Sequence, residues 1–417
     1  MRYILRWAAG LVAGSLVLTA VAYGVAQAAL PGCPPATRID ALPAGVDAPP
    51  LWAPTVAQAP PGAVPIVVGG PSTAIGDILT GNESVVVFAG GAAGARTMDV
   101  PYIGTATPGE TLLLSPDGTR VAYGELRGLG TVVQNLLDGK ASLVPGTAEQ
   151  GTSPIAWAPD GRTLLVVRYP EGSGGTVGTL DVATGVFGAL LDAGDTSLLV
   201  GAYRPDGTLA VQAGDRLCVF AGGRQQSCFK PPAGARLAGK GAWTPDGRSL
   251  ALVADNGRAS DLTLVAPDTG TPTGAAAFRV DGVTTLRLLG WWPDGRAVMA
   301  AYRPEPDAPA TFDPSTVDSL PTRFDFVHQI SVLAVTGAGD TREISAMPGA
   351  FLSIDIADAA LASGRTGQAV PAKPWPARPA MVAALTAVTT AAAVLLILLV
   401  LSVRARPTRR LARTPEE

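Results

Sequence analysis

The sequence predicts an all-β fold, a β-propeller of four-stranded blades, followed by one C-terminal transmembrane α-helix. Three observations predict it: a turn motif that recurs at the length of one blade, a composition suited to short strands and tight turns, and a charge-free run near the C-terminus. The motif occurs five times, as Leu113-Leu-Ser-Pro-Asp-Gly-Thr-Arg-Val-Ala122, Ala156-Trp-Ala-Pro-Asp-Gly-Arg-Thr-Leu-Leu165, Ala202-Tyr-Arg-Pro-Asp-Gly-Thr-Leu-Ala210, Ala242-Trp-Thr-Pro-Asp-Gly-Arg-Ser-Leu-Ala251 and Gly290-Trp-Trp-Pro-Asp-Gly-Arg-Ala-Val-Met299. Successive prolines lie 43, 46, 40 and 48 residues apart. That spacing is the length of one four-stranded blade.

The motif has a local physical reading. Proline presets φ for the second position of a turn, aspartate bonds the backbone ahead of it, and glycine accepts positive φ. Pro116-Asp117-Gly118, Pro159-Asp160-Gly161, Pro205-Asp206-Gly207, Pro245-Asp246-Gly247 and Pro293-Asp294-Gly295 are therefore expected to turn the chain between the first and second strands of a blade. Two residues before each proline stands a large side chain, Leu114, Trp157, Tyr203, Trp243 or Trp291, suited to packing between neighbouring blades. Apolar runs such as Leu164–Val167 and Leu250–Val253 follow and read as buried second strands. The third copy is one residue shorter after its turn, which leaves its register open.

These residues resemble the TolB-type, WD-repeat-like propeller repeat, over about residues 110–300. The resemblance implies a fold and no activity. Worn copies are expected at Leu79–Val87 and Ile354–Ala362. With both, the span 62–365 holds seven blades, six being the alternative.

The ends read as targeting segments. Arg2 and Arg6 precede an apolar run to about Leu30 with Ala26-Gln27-Ala28 near its end. That pattern is a signal peptide or an uncleaved N-terminal anchor. Leu30-Pro-Gly-Cys33 has the look of a lipid-attachment box, with Pro31 a poor fit. Residues 31–62 are expected to form a Pro/Ala-rich linker or strap, and 366–380 a Pro-rich stalk. Met381 to Val403 carries no charge and is read as the transmembrane helix, with 404–417 as a basic cytoplasmic tail. The expected location is the cell membrane, with the propeller on its extracytoplasmic side.

Charge and residue types exclude several functions. Between the two ends, residues 31–377 hold 23 basic and 32 acidic residues, a net charge of −9. An acidic domain is a poor partner for nucleic acid. The chain has one histidine, His328, so a multi-histidine metal centre is excluded and histidine-based catalysis is weakened. No phosphate-binding loop, dinucleotide fingerprint or nucleophile elbow is present, and no cofactor is expected. Asn82-Glu-Ser84 matches a glycosylation sequon, to which a chain of bacterial character gives little weight. The repeated aspartates each belong to a separate turn, on the perimeter of a different blade, and read as structural.

Cys218 and Cys228 flank a turn. If Ala221 to Gln225 form it, the two sulfurs face each other across antiparallel strands, and a disulfide follows in an oxidising compartment. Trp292 replaces a small residue and is expected at the surface. It precedes a proline-rich insertion, Arg303 to Arg323, and with Phe312 and Asp313 forms the expected binding surface. The expected function is a membrane-anchored binding or scaffolding module for an unknown protein, peptide or glycan, and not an enzyme. The alternatives are an envelope sensor signalling through the helix, and a propeller-face hydrolase or lyase. Acids and polar groups converging at one channel mouth would point to the enzyme.

Overall fold

In a computed structural model, the chain divides into two compact units, Gly32–Pro374 and a second made of Met1–Pro31 with Trp375–Glu417. The structure describes residues 38–49, 53–71, 84–90, 94–98, 109–124, 130–147, 151–169, 174–194, 198–274, 278–305, 327–336, 339–349, 351–371, 386–395 and 397–398.

Among the described residues the larger unit contains six four-stranded antiparallel sheets, the blades of a propeller. Each Pro-Asp-Gly motif turns the chain from a blade's inner strand to its second strand. In the first, Gly118 N–H donates to the Ser115 carbonyl at 2.9 Å, so Pro116 and Asp117 occupy the two central positions and Gly118 follows at φ +69°. The other four turns close in the same way. The third copy closes one residue early, Arg204 N–H donating to Thr208 O, yet its register runs unbroken from Leu199↔Ala213 to Tyr203↔Leu209.

Five of the blades, II to VI, run from inner to outer strand in chain order. Their inner strands are Leu112–Leu114, Gly151–Trp157, Leu199–Tyr203, Ala235–Leu237 and Thr285–Trp291. Blade I is assembled from both ends of the domain. Its inner strand, Ser353–Ile356, is antiparallel to Ile66–Pro71, which Ser84–Gly90 and Gly94–Thr97 continue outward. This closes the ring at six blades, which corrects the expected seven. Of the two supposed worn copies, residues 84–87 of the first belong to the third strand and residues 354–356 of the second to the inner strand of one blade. A blade whose inner strand arrives from the far end of the chain has no Pro-Asp-Gly turn to count.

The C-terminal transmembrane helix is corrected as well. The described part of 381–403 is helical over 386–395 and 397–398. Among the described residues no helix is long and apolar enough to cross a membrane.

The core is a ring as well. Six clusters of buried side chains each join two neighbouring blades, from Val67, Phe88 and Leu112 between blades I and II to Ile66, Val298 and Tyr302 between VI and I. Repeated contacts cross these seams. The indole N–H groups of Trp157, Trp243 and Trp291 donate to Leu113, Ala202 and Gly241 of the preceding blade at 2.9–3.1 Å. From the other side, Arg120 and Arg204 stack over Trp157 and Trp243 and reach the turn carbonyls of Gly161 and Gly247. Leu42–Pro43 pairs in parallel with Thr366–Gly367, and Val46 with Val370, so residues expected to begin a stalk are hydrogen-bonded to the domain.

Candidate functional site

Inner strands of a propeller present alternate side chains to the ring axis. Here those residues, with the turns that follow them, line one cavity of about 350 Å³ to which all six blades contribute. Its walls differ. Blades II to IV supply Leu113, Ile155, Trp157, Tyr169, Leu199, Val200 and Tyr203, whereas blades V, VI and I supply Arg236, Lys240, Arg287, Asp355 and Asp358. Glu110, at the entry to blade II, faces Arg287 of blade VI at 4.0 Å.

Lys240 owes its position to a local irregularity. The inner strand of blade V advances from Leu237 to Trp243 while its partner moves only from Leu252 to Leu250. The surplus loops toward the axis as Gly239-Lys240-Gly241. Gly239 sits at φ +129°, and a β-carbon on Gly241 would lie 2.3 Å from the Gly290 nitrogen, so both neighbours of the lysine must be glycine. Lys240 then reaches past blade VI to blade I, with its ammonium 2.9 Å from Asp355, 3.3 Å from Asp358, and bonded to the Ile356 carbonyl. Asp355, only 2% exposed in its side chain, also accepts the backbone N–H groups of Leu114 and Ile356, both at 2.9 Å. Burial alone would lower the lysine pKa, but the two carboxylates outweigh it and hold the ammonium charged above the ordinary lysine range. Burial and the nearby Asp160 push the Tyr203 hydroxyl's pKa upward.

The five turns lie at one end of the inner strands, and Pro116 and Pro159 line the cavity, so the motif is nearer the axis than the expected perimeter. Each aspartate caps its own turn, from Asp117 accepting Thr119 N–H at 3.1 Å to Asp294 accepting Arg296 N–H at 3.1 Å. Four carboxyls are more acidic than usual. For Asp117, hydrogen bonds from Ser115 and Thr119 overcome an opposing burial effect. For Asp206, Asp246 and Asp294 the bonds from Arg204, Thr244 and Arg296 dominate.

A folded pKa below the unfolded value contributes stability above about pH 3.9, lost as pH falls through the folded value. The urea midpoint is therefore expected to fall steeply below about pH 4. A chain with Asn at 117, 206, 246 and 294 is expected to show a shallower fall, and parallel curves for the two chains would refute the assignment.

Cys218 and Cys228 are joined by a disulfide between the two outer strands of blade IV. The turn itself is only Gly222-Gly223, and a β-bulge after Val219 shifts the register so that the cysteines stand opposite each other. Trp292 corrects the expected surface: it is 5% exposed and packs in the seam of blades VI and I, with Arg296 stacked 4.4 Å from its ring. Phe312, Asp313 and Cys33 lie outside the described residues. His328 is exposed beside Glu305 at 3.5 Å. Among the described residues no group of three His, Cys, Asp or Glu is placed to hold a metal ion.

Fold and site define a six-bladed β-propeller with a two-walled axial cavity. No family model matches the chain, and no curated protein matches it either. Among solved structures it is similar to TolB from Acinetobacter baumannii, with 15% identity, a TM-score of 0.44, and coverage of 71% of this chain and 66% of that one. It is similar also to a putative TolB from Agrobacterium tumefaciens, with 14% identity, a TM-score of 0.40, and coverage of 71% and 99%. A prolyl endopeptidase structure matches at 13% identity and a TM-score of 0.35, covering 66% of this chain and 46% of its own. At these scores the likeness decides nothing about function, which rests on the cavity.

Proposed function

We propose that the chain is an extracytoplasmic binding propeller that holds part of a protein partner in its axial cavity. The observation that carries this reading is the pairing of the charges around the axis. Lys240 is committed to Asp355 and Asp358, and Arg287 faces Glu110, so the acids and bases that converge there neutralise one another. A lysine held charged is no nucleophile, and a carboxylate saturated by three donors is a poor general base. What remains for a ligand is a pocket of small-molecule size with one apolar wall, suited to gripping part of a larger partner. The disulfide supports an oxidising compartment and hence the extracytoplasmic side.

The test is site-specific photocrosslinking of the full chain in its native cell. A benzophenone amino acid at Tyr169, a cavity residue 43% exposed, is expected to trap a discrete protein. The same probe at Val186, 66% exposed and away from the cavity lining, is expected to trap none. Identical products from both positions, or none from Tyr169, would reject the cavity as the binding site.

A further inference from the structure

Arg236 is a cavity cation whose donors the described residues use only in part. Its Nη2 alone makes the described contacts, to Asp255 at 3.2 Å, to the Thr285 hydroxyl, and to the Leu286 carbonyl at 3.4 Å. Asp255 is itself shared, accepting the Thr285 hydroxyl at 2.8 Å and the Ser260 hydroxyl at 2.6 Å. These contacts hold one edge of the guanidinium. Nε and Nη1 have no acceptor among the described residues, although the side chain lines the cavity and is only 13% exposed. An immobilised guanidinium whose Nε–H and Nη1–H groups still have room to donate can take a carboxylate oxygen by a charge-assisted hydrogen bond. The two blades that precede it in the ring, III and IV, bring Ile155, Leu199 and Val200 to the same cavity as an apolar wall. In that wall the Tyr203 hydroxyl is buried without a hydrogen-bond partner among the described residues.

We propose that the cavity binds the free C-terminal carboxylate of a partner protein that ends in an apolar residue, with Arg236 taking the carboxylate and blades III and IV the last side chain. This names the occupant of the site in the preceding reading and rests on it. The size of the cavity suits a chain end. A volume of about 350 Å³ admits a body of drug size, so a protein can place only a short segment in it, and a chain end is a short segment that carries its own charge. The sign of the unused donors selects the carboxyl end over the amino end.

The probe is acetyl-Ala-Ala-Leu, titrated calorimetrically into the purified full chain as the free acid and as its C-terminal amide. The acid is expected to bind at least tenfold more tightly than the amide, with the difference shrinking in high salt. This comparison uses the unaltered chain and depends on no variant folding. Arg236→Gln is expected to erase the difference between acid and amide, and Arg236→Lys to restore part of it. Tyr203→Phe, which removes no hydrogen bond to a described residue, is expected to weaken both probes alike.

Equal affinity for acid and amide, or no binding of the acid at millimolar concentration, would overturn the proposal. So would 3-phenylpropanoate binding as tightly as the peptide, which would mark a site for small acids. Crosslinks at Tyr169 without acid binding would sink this inference and leave the binding reading standing. Failure of both experiments would sink both.

Discussion

Replacing Asp355 by alanine is expected to lower unfolding stability by about 3–5 kcal/mol, the cost of breaking one side of a buried ion pair. The carboxylate joins three blades: it belongs to blade I, accepts Leu114 N–H of blade II, and pairs with Lys240 of blade V. Its removal leaves the Leu114 and Ile356 N–H groups without that acceptor, and leaves Lys240 with the Ile356 carbonyl and, as its remaining carboxylate, the exposed Asp358. Asp355→Asn keeps an oxygen for one N–H and is expected to cost less. The double variant Lys240→Met with Asp355→Leu removes both charges and is expected to recover most of the loss, because a buried pair seldom outperforms apolar packing. Urea unfolding at pH 7 measures all three. A cost below about 1 kcal/mol for Asp355→Ala would mean that the bridge does not hold the ring together.

Alkaline pH gives an independent reading of the same bridge. The lysine pKa is raised by folding, so its contribution is complete below the unfolded value of about 10.4 and disappears as pH climbs through the higher folded value. The gap in midpoint between the natural chain and Lys240→Met is accordingly expected to stay constant through neutral pH and to close only in strong alkali.

Much of the blade could be read from the residues because its determinants are local. A turn of proline, aspartate and glycine depends on neighbours within a few positions, and five copies set the period. The blade number depended instead on Ile66↔Ile356, a pairing between residues 290 positions apart, which no local pattern announces. The axial site was hidden for a similar reason. Lys240 meets Asp355 across 115 positions, and only the fold shows that the two face one axis. Signals were nonetheless present: a lysine between two glycines in a chain with four lysines, and single charges inside apolar inner strands, as in Ser353-Ile-Asp-Ile356 and Thr285-Leu-Arg-Leu288. A charge between apolar neighbours on an innermost strand has only the axis to point to. Trp292 misled because a second large residue beside Trp291 looked surplus, whereas the seam between blades VI and I had room for it.

The seams between blades make the second large prediction. Trp243 is 5% exposed, packs against Ala202, Leu237, Leu250 and Leu252, and donates to the Ala202 carbonyl at 3.1 Å. Trp243→Ala is expected to cost about 3–5 kcal/mol, from lost burial and the cavity left behind. Arg204 would also lose the ring it stacks on at 5.3 Å, leaving its bond to the Gly247 carbonyl as the tie on that side. Trp243→Phe keeps an aromatic body and removes the indole N–H, so its cost is expected near 1–2 kcal/mol, mostly that of an unpaired carbonyl. Tyr203 holds the matching position in blade IV, where its hydroxyl has no hydrogen-bond partner among the described residues; Tyr203→Phe is therefore expected to leave the urea midpoint unchanged. The contrast separates two roles for one repeat position. If Tyr203→Phe destabilised the fold as much as Trp243→Phe, the hydroxyl would belong to the seam and not to the cavity.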